Sequence, residues 1–140
     1  MSSGVVRARE ELFAAHLLAT TGFAAQAVAL SFGAALAAAE AALMLLGRPP
    51  GPEPAAVVAA FVRHAVRERG LTPDAGRRLR SLCTRAEQAH ADGTVPQPEA
   101  TVAISDATEV VDVVARWIET SNRAAQARGP VRPTPPRRAR

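Results

Sequence analysis

The chain contains 140 residues, one of them cysteine, and has a formal net charge of +4; 48% of the residues are hydrophobic, but only 4% are aromatic. This length fits one domain with a single core, and one cysteine excludes both an internal disulfide and a Cys-x-x-Cys metal pair. Much of the apolar content is alanine, which favours helices and is poor in strands. The composition therefore predicts an all-α fold.

Five helical segments can be placed from the spacing of apolar residues and from the helix-breaking residues between them. They are 7–21, 24–46, 55–69, 73–90 and 99–124. Their connections favour an antiparallel bundle of about five helices. We assign residues 1–125 to this bundle.

Glycine stands at or just after the end of each of the first four segments, at Gly22, Gly47, Gly70 and Gly93. We expect Gly70 to adopt the left-handed conformation that commonly ends a helix. The fourth segment has a clear start, because Thr72 can cap the helix, Pro73 suits its first turn and Asp74 complements the helix dipole.

The second segment is apolar almost all round, as expected of the most buried helix of a bundle. It contains one acidic residue, Glu40. We expect this carboxylate to be buried and paired with an arginine of the fourth helix. The last segment shows a stripe that should face the core, formed by Val102, Val110, Val113, Val114, Trp117 and Ile118.

Residues 23–46 are long enough to cross a bilayer, but Gln26, Ser31 and Glu40 interrupt them. A buried central helix explains this segment better than a membrane span. The start, MSSGVVRAREEL, mixes charges of both signs and does not resemble a secretory signal. Together with the single cysteine, these features predict a cytoplasmic protein with no membrane partner.

The excess positive charge lies at the C-terminal end. We expect residues 126–140 to form a disordered basic tail rich in proline and arginine. The last twelve residues, GPVRPTPPRRAR, hold four arginines and no acid, whereas residues 1–128 contain 13 basic and 13 acidic residues. The expected bundle is therefore neutral as a whole.

One spacing suggests nuclease chemistry. Arg85 and His90 form an R-x-x-x-x-H pair within TRAEQAHADG. An arginine can bind a phosphate through two parallel hydrogen bonds, and a histidine at a helix end suits acid–base catalysis on a ribose 2′-hydroxyl. Residues five apart lie about 140° apart around an α-helix, so the pair needs a bulge, a helix end or a second chain to converge.

A second group of candidate residues precedes this pair. Arg63, His64 and Arg67 lie close together in the third segment, and we treat them as substrate-binding candidates that could line a cleft. Histidine, aspartate and cysteine do not cluster at metal-ligand spacing. We therefore expect neither a metal nor another cofactor.

Four segments resemble, in order, those of the small stand-alone bacterial members of the HEPN superfamily: EELFAAHLLATTGF, AVALSFGAALAAAEAALMLLG, AAFVRHAVRERGL and RRLRSLCTRAEQAHADG. An acidic final helix follows, and the likeness covers roughly residues 8–120. The resemblance implies a helical bundle that forms a homodimer, with the R-x-x-x-x-H helices of two protomers facing each other across a cleft. Active relatives are metal-independent RNases, and many are toxins paired with a nucleotidyltransferase-like antitoxin.

By the same resemblance, Arg85 would bind the scissile phosphate and His90 would act as acid and base. Two departures favour a function without catalysis: Ala86 stands where active relatives often have a polar residue, and the chain has no tyrosine. Two main hypotheses stay open, a HEPN ribonuclease and a non-catalytic HEPN module that binds a nucleotide, RNA or a partner protein. An unrelated helical-bundle interaction protein is the third.

Overall fold

A computed structural model describes residues 3–128 as five helices packed against each other, without a strand in that range. The helices are α1 (Ser3–Thr20), α2 (Ala24–Leu45), α3 (Pro54–Ala60), α4 (Pro73–Asp92) and α5 (Gln97–Ala127). A π-helical segment, Phe61–Arg67, continues directly from α3. The predicted all-α bundle is confirmed, and each predicted helix boundary lies within four residues of the observed one. The predicted tail lies outside the described residues from residue 129 onward.

The glycines end the helices as predicted. Gly22, Gly47, Gly70 and Gly93 all have a positive φ. At Gly93, where φ is 74°, the backbone N–H donates to the carbonyl oxygen of Ala89 at 2.9 Å. Thr72 does occupy the capping position of α4, but its hydroxyl makes no capping hydrogen bond, so that detail of the prediction is wrong.

Helix α2 lies at the centre of the bundle and contacts every other helix. Its buried face consists largely of alanines, which let neighbouring helices approach closely: Ala27, Ala34, Ala35, Ala38, Ala39 and Ala42. Glu40 lies on the opposite face and is exposed. It forms no ion pair with any residue of the described range. The expectation that Glu40 is buried and paired is wrong, because a helix made mainly of alanine can be apolar on its solvent side as well.

The core stripe of α5 is largely as predicted. Val110, Val114 and Ile118 are buried, while Val113 and Trp117 are half-buried. Val102 is the exception, with 43% of its surface exposed. It stands five residues before the buried Ala107, about 140° away around the helix, so it faces away from the core.

Three polar contacts join α5 to α4 and to α1. Arg78 of α4 donates to Asp106 at 2.6 Å, and Arg9 of α1 donates to Asp112. The Gln97 side chain at the start of α5 donates to the last-turn carbonyl oxygen of Ala19 at 2.6 Å. They join helices whose alanine surfaces provide few interlocking side chains.

Within the described range, α2 is the one helix long and apolar enough to cross a membrane, and half of its most apolar stretch is buried inside the bundle. Such partial burial is consistent with the interpretation of α2 as a core helix.

We expect Val110→Ala to lower the free energy of unfolding by about 2 kcal/mol, because it removes two methyl groups from a fully buried site. Val102→Ala is the matched control in the same helix, and we expect a change below about 0.5 kcal/mol. Urea denaturation followed by circular dichroism measures both. Equal losses for the two variants would contradict the burial described for α5.

Candidate functional site

Arg85 and His90, the predicted catalytic pair, lie on opposite flanks of α4. Arg85 follows Arg78 by seven residues, and Arg78 donates to Asp106 of α5, so Arg85 lies on the flank that faces α5. His90 is exposed in the last turn of α4 and lies on the other flank. Leu82 and Ala89 are buried between these two flanks. One chain therefore does not bring the two side chains to one face.

The surroundings of Arg85 nevertheless contain an unusual feature. Arg85 is half-buried, and its Nε atom is buried without a hydrogen-bond acceptor among residues 3–128. Buried donors in folded proteins nearly always have a partner. Removing a donor from water without one costs about 1–3 kcal/mol. This donor can gain a partner if the Arg85 side chain changes conformation when a ligand or a second chain binds.

A groove between the π-helical segment and the first half of α4 brings three arginines together. Its volume is about 430 Å³, and its lining residues are Val62, Val66, Arg67, Pro73, Gly76, Arg77 and Arg80. We call it the arginine groove. The volume lies within the range of small-molecule sites, roughly 300–1,000 Å³.

The backbone winding explains how Arg67 reaches this groove. Hydrogen bonds in a π-helix join residues five apart, so the turns are wider than in an α-helix. Val62 and Arg67 would lie about 140° apart in an α-helix, whereas the wider turn lets both line the same groove. An α-helical period of 3.6 residues does not place these two side chains on one face.

Gly76 sets how closely α4 approaches the π-helical segment. A Cβ atom built on Gly76 would lie 3.3 Å from a methyl group of Val62 and 3.4 Å from one of Val66. A side chain at this position would require Val62 and Val66 to shift by a few tenths of an ångström. The missing side chain therefore lets α4, which carries Arg77 and Arg80, lie close to the segment that carries Arg67.

The three arginines differ in their pairing. Arg77 donates to Asp74 at 2.5 Å, and the same carboxylate accepts from Arg78 at 2.6 Å. Arg67 and Arg80 form no ion pair inside the described part of the chain. Two guanidinium groups at the groove are therefore available to an anion.

The charge of the bundle is unevenly distributed, although its total is neutral. Residues 48–85 contain eight arginines and three acidic residues. The remaining acidic residues lie outside this stretch, mainly on α1 and α5. The region around the arginine groove is therefore positive, which adds to the attraction for anions.

Of the predicted substrate-binding residues, only Arg67 lines the groove. Arg63 is exposed, and His64 is half-buried, with its Nδ1 atom 3.2 Å from the Glu68 carboxylate. This hydrogen bond, assisted by the charges of His64, Arg48 and Arg63, lowers the pKa of Glu68. Sequence reasoning missed Arg77 and Arg80, which carry no motif and become recognisable only when the π-helical segment is placed beside α4.

A second pocket, of about 560 Å³, lies between the start of α1 and the second half of α5. Basic and acidic residues alternate in its lining: Arg9, Asp112, Arg116, Glu119 and Arg123. The ion pair between Arg9 and Asp112 crosses it. A second ion pair joins Arg123 to Glu119, so four of the five charges in this lining compensate each other.

The described residues show neither a cluster of metal ligands nor an activated cysteine thiol. No group of three or more potential metal ligands occurs among them. Burial, together with the nearby Glu87 carboxylate, raises the pKa of the Cys83 thiol, so the nucleophilic thiolate is scarce near neutral pH.

No protein-family model and no curated protein matches this chain. The HEPN resemblance therefore stays a hypothesis that depends on the segments quoted above.

We expect Asp74→Asn to destabilise the protein at pH 7, with an effect that shrinks in acid. Hydrogen bonds from Arg78 and Arg77 lower the pKa of Asp74 in the folded state. The stabilisation is therefore complete above the ordinary pKa of an aspartate and is lost as the pH falls through the lowered value. Thermal unfolding of wild type and variant from pH 7 down to pH 2 measures this. A difference in Tm that stays constant across that range would contradict the pairing.

Proposed function

We propose that this chain binds a phosphate-bearing ligand, a nucleotide or single-stranded RNA, in the arginine groove and acts in the cytoplasm as a non-catalytic module of the HEPN type. The observation that carries the proposal is the position of Arg67, Arg77 and Arg80 around one groove with an apolar floor. A guanidinium group can form two parallel hydrogen bonds with a phosphate. Two of these three groups have no competing carboxylate within residues 3–128.

The groove favours recognition of phosphate over recognition of a base. Its floor consists of Val62, Val66, Pro73 and Gly76, and no aromatic residue among its lining can stack on a base. Proteins that read single-stranded RNA by sequence usually stack bases on aromatic side chains. We therefore expect binding that depends strongly on salt and weakly on base identity.

The double variant Arg67→Gln/Arg80→Gln tests the proposal. Anisotropy of a fluorescein-labelled oligouridylate of about ten nucleotides gives the dissociation constant of full-length protein at several salt concentrations. Each phosphate contact with a single strand contributes about 0.7 to the slope of log K against log salt. We expect the double variant to weaken binding at least tenfold and to reduce the slope by about 1.4.

Arg116→Gln/Arg123→Gln is the matched control, because it removes the same charge from α5 and leaves the groove unchanged. We expect little effect from it. If both pairs weaken binding equally, or if the wild type does not bind, the proposal is wrong. If a nucleoside monophosphate displaces the labelled RNA, a single nucleotide is enough to occupy the groove. If only longer oligonucleotides displace it, the ligand is RNA.

A ribonuclease is the second candidate function, and the unsatisfied Nε of Arg85 favours it. In this alternative, a second protomer would bring its α4 helix close enough for Arg85 of one chain and His90 of the other to share a phosphate. A nucleotidyltransferase-like antitoxin would then be the expected partner, as the HEPN resemblance implies.

Incubation of labelled RNA with protein in EDTA, compared with His90→Ala, separates the two functions. An active pair predicts cleavage that falls at least about 100-fold in the variant, since positioned acid–base groups contribute about 10²–10⁴. The binding proposal predicts no cleavage by either protein and equal RNA affinity for both. If the wild type cleaves RNA and His90→Ala does not, the function is catalysis and the binding proposal is wrong.

A further inference from the structure

The first turns of α4 place Arg77 between an acidic residue and the arginine groove. Asp74 precedes Arg77 by three residues, and Arg80 follows it by three. Each therefore lies about 60° from Arg77 around the helix, and the two lie on opposite sides of it. Arg77 lines the groove together with Arg80, and it also donates to the Asp74 carboxylate at 2.5 Å. A long arginine side chain in this position can pair either with Asp74 or with a ligand in the groove.

The Arg77 side chain can change partners easily. It is 78% exposed, and exposed ion pairs contribute little to stability because water solvates both groups and salt screens their charges. In the free protein, Asp74 nevertheless neutralises Arg77. The negative charges of Asp74 and of a bound phosphate also repel each other. Arg77 can therefore contribute fully to phosphate binding only when it turns away from Asp74.

Arg78 keeps Asp74 paired when Arg77 turns away. Arg78 donates to Asp74 at 2.6 Å and also to Asp106 of α5 at 2.6 Å. Hydrogen bonds, first from Arg78 and then from Arg77, lower the pKa of Asp74, so this carboxylate is ionised at neutral pH. Loss of Arg77 therefore leaves a charged Asp74 that still has one arginine partner. The exchange does not leave an isolated charge.

We propose that the arginine groove selects a ligand with two linked phosphate groups, and that Asp74 is the residue that sets this selectivity. Arg67 and Arg80 bind the first phosphate, and Arg77 leaves Asp74 to bind the second. The inference rests on the proposed function, because it requires that the groove bind phosphate. It adds the class of ligand, a diphosphate such as that of a nucleoside diphosphate.

A single phosphate gains little from Arg77. Arg67 and Arg80, which form no ion pair within residues 3–128, already supply it with two guanidinium groups. A second phosphate adds negative charge and acceptor oxygens, so it competes with Asp74 for Arg77. Specificity often depends on such a repulsive or competing group within a site. Asp74 thus makes the third arginine available mainly to the ligand with the larger charge.

A nuclear magnetic resonance titration of isotope-labelled full-length protein with inorganic phosphate and with pyrophosphate tests the inference. Both titrations use metal-free buffer at constant ionic strength, and the methyl groups of Val62 and Val66 in the groove give the dissociation constants. We expect the wild type to bind pyrophosphate at least about tenfold more tightly than phosphate. Arg77→Gln should lose most of this preference and keep its affinity for phosphate.

Asp74→Asn separates competition for Arg77 from a structural role. Although this variant should be less stable, we expect it to bind pyrophosphate up to about fivefold more tightly, because Arg77 no longer has a competing anion. In the Arg77→Gln background, the same substitution should change the affinity by less than about twofold. A residue that only maintained the fold would weaken binding when substituted.

Glu87→Gln is the control for the lost negative charge. Glu87 is exposed on the same helix, thirteen residues beyond Asp74, or about 20 Å along the axis. Salt screens charges beyond about 8 Å at physiological ionic strength. We therefore expect this variant to bind both anions like the wild type.

Four outcomes would overturn the inference and leave the proposed function intact: equal affinity of the wild type for both anions, an equal loss of both in Arg77→Gln, unchanged or weaker pyrophosphate binding by folded Asp74→Asn, or the same gain in Glu87→Gln. If neither anion shifts the valine methyl signals, the proposed function is wrong as well. Far-ultraviolet circular dichroism shows whether each variant is folded. If Asp74→Asn is not, the comparison of wild type with Arg77→Gln decides, because Arg77 is exposed and its substitution should leave the fold intact.

Discussion

The close contact between the π-helical segment and α4 is the constraint on which the candidate site depends. The wide π-helical turn lets Arg67 and the two valines of the segment, Val62 and Val66, line one groove, and Gly76 lets α4 approach that groove closely. The positive groove is thus a consequence of backbone geometry at one helix–helix contact, and neither Arg67 nor Arg80 belongs to a recognisable motif.

The bundle uses its charged residues in two distinct ways. Asp106 and Asp112 accept from arginines of other helices and fix the position of α5. The buried core, by contrast, consists largely of alanine. The arginines of the groove contribute little to packing, and two of them have no partner within the described residues. Arg77 contributes to both, because it lines the groove and pairs with Asp74. Arg67 and Arg80 line the groove without an ion pair in the described range, so substituting those two tests anion binding separately from the ion pairs of the bundle.

The sequence predicted the number, order and ends of the helices because glycine stops and apolar periodicity are local signals. The predictions were wrong for side chains whose burial depends on the packing of neighbouring helices. Glu40 and Val102 are exposed because they face away from the core, and an alanine-rich sequence marks its buried face only weakly. The π-helical turn has no established sequence signal, so the sequence marks Arg67 only as a neighbour of Arg63 and His64 and does not predict that it lies beside α4. The spacing did predict the divergence of Arg85 and His90, because five residues cannot share a face of an α-helix.

A nuclear magnetic resonance titration of isotope-labelled full-length protein with oligouridylate tests the central claim most directly. The methyl groups of Val62 and Val66 and the backbone amide of Gly76 report on the floor of the groove. The arginine-groove account predicts that these signals shift first and saturate together, while those of Arg85, His90 and Gly93 change little. Shifts confined to the Arg85–His90 region or to the basic tail, with the valine methyl groups unchanged, would contradict it.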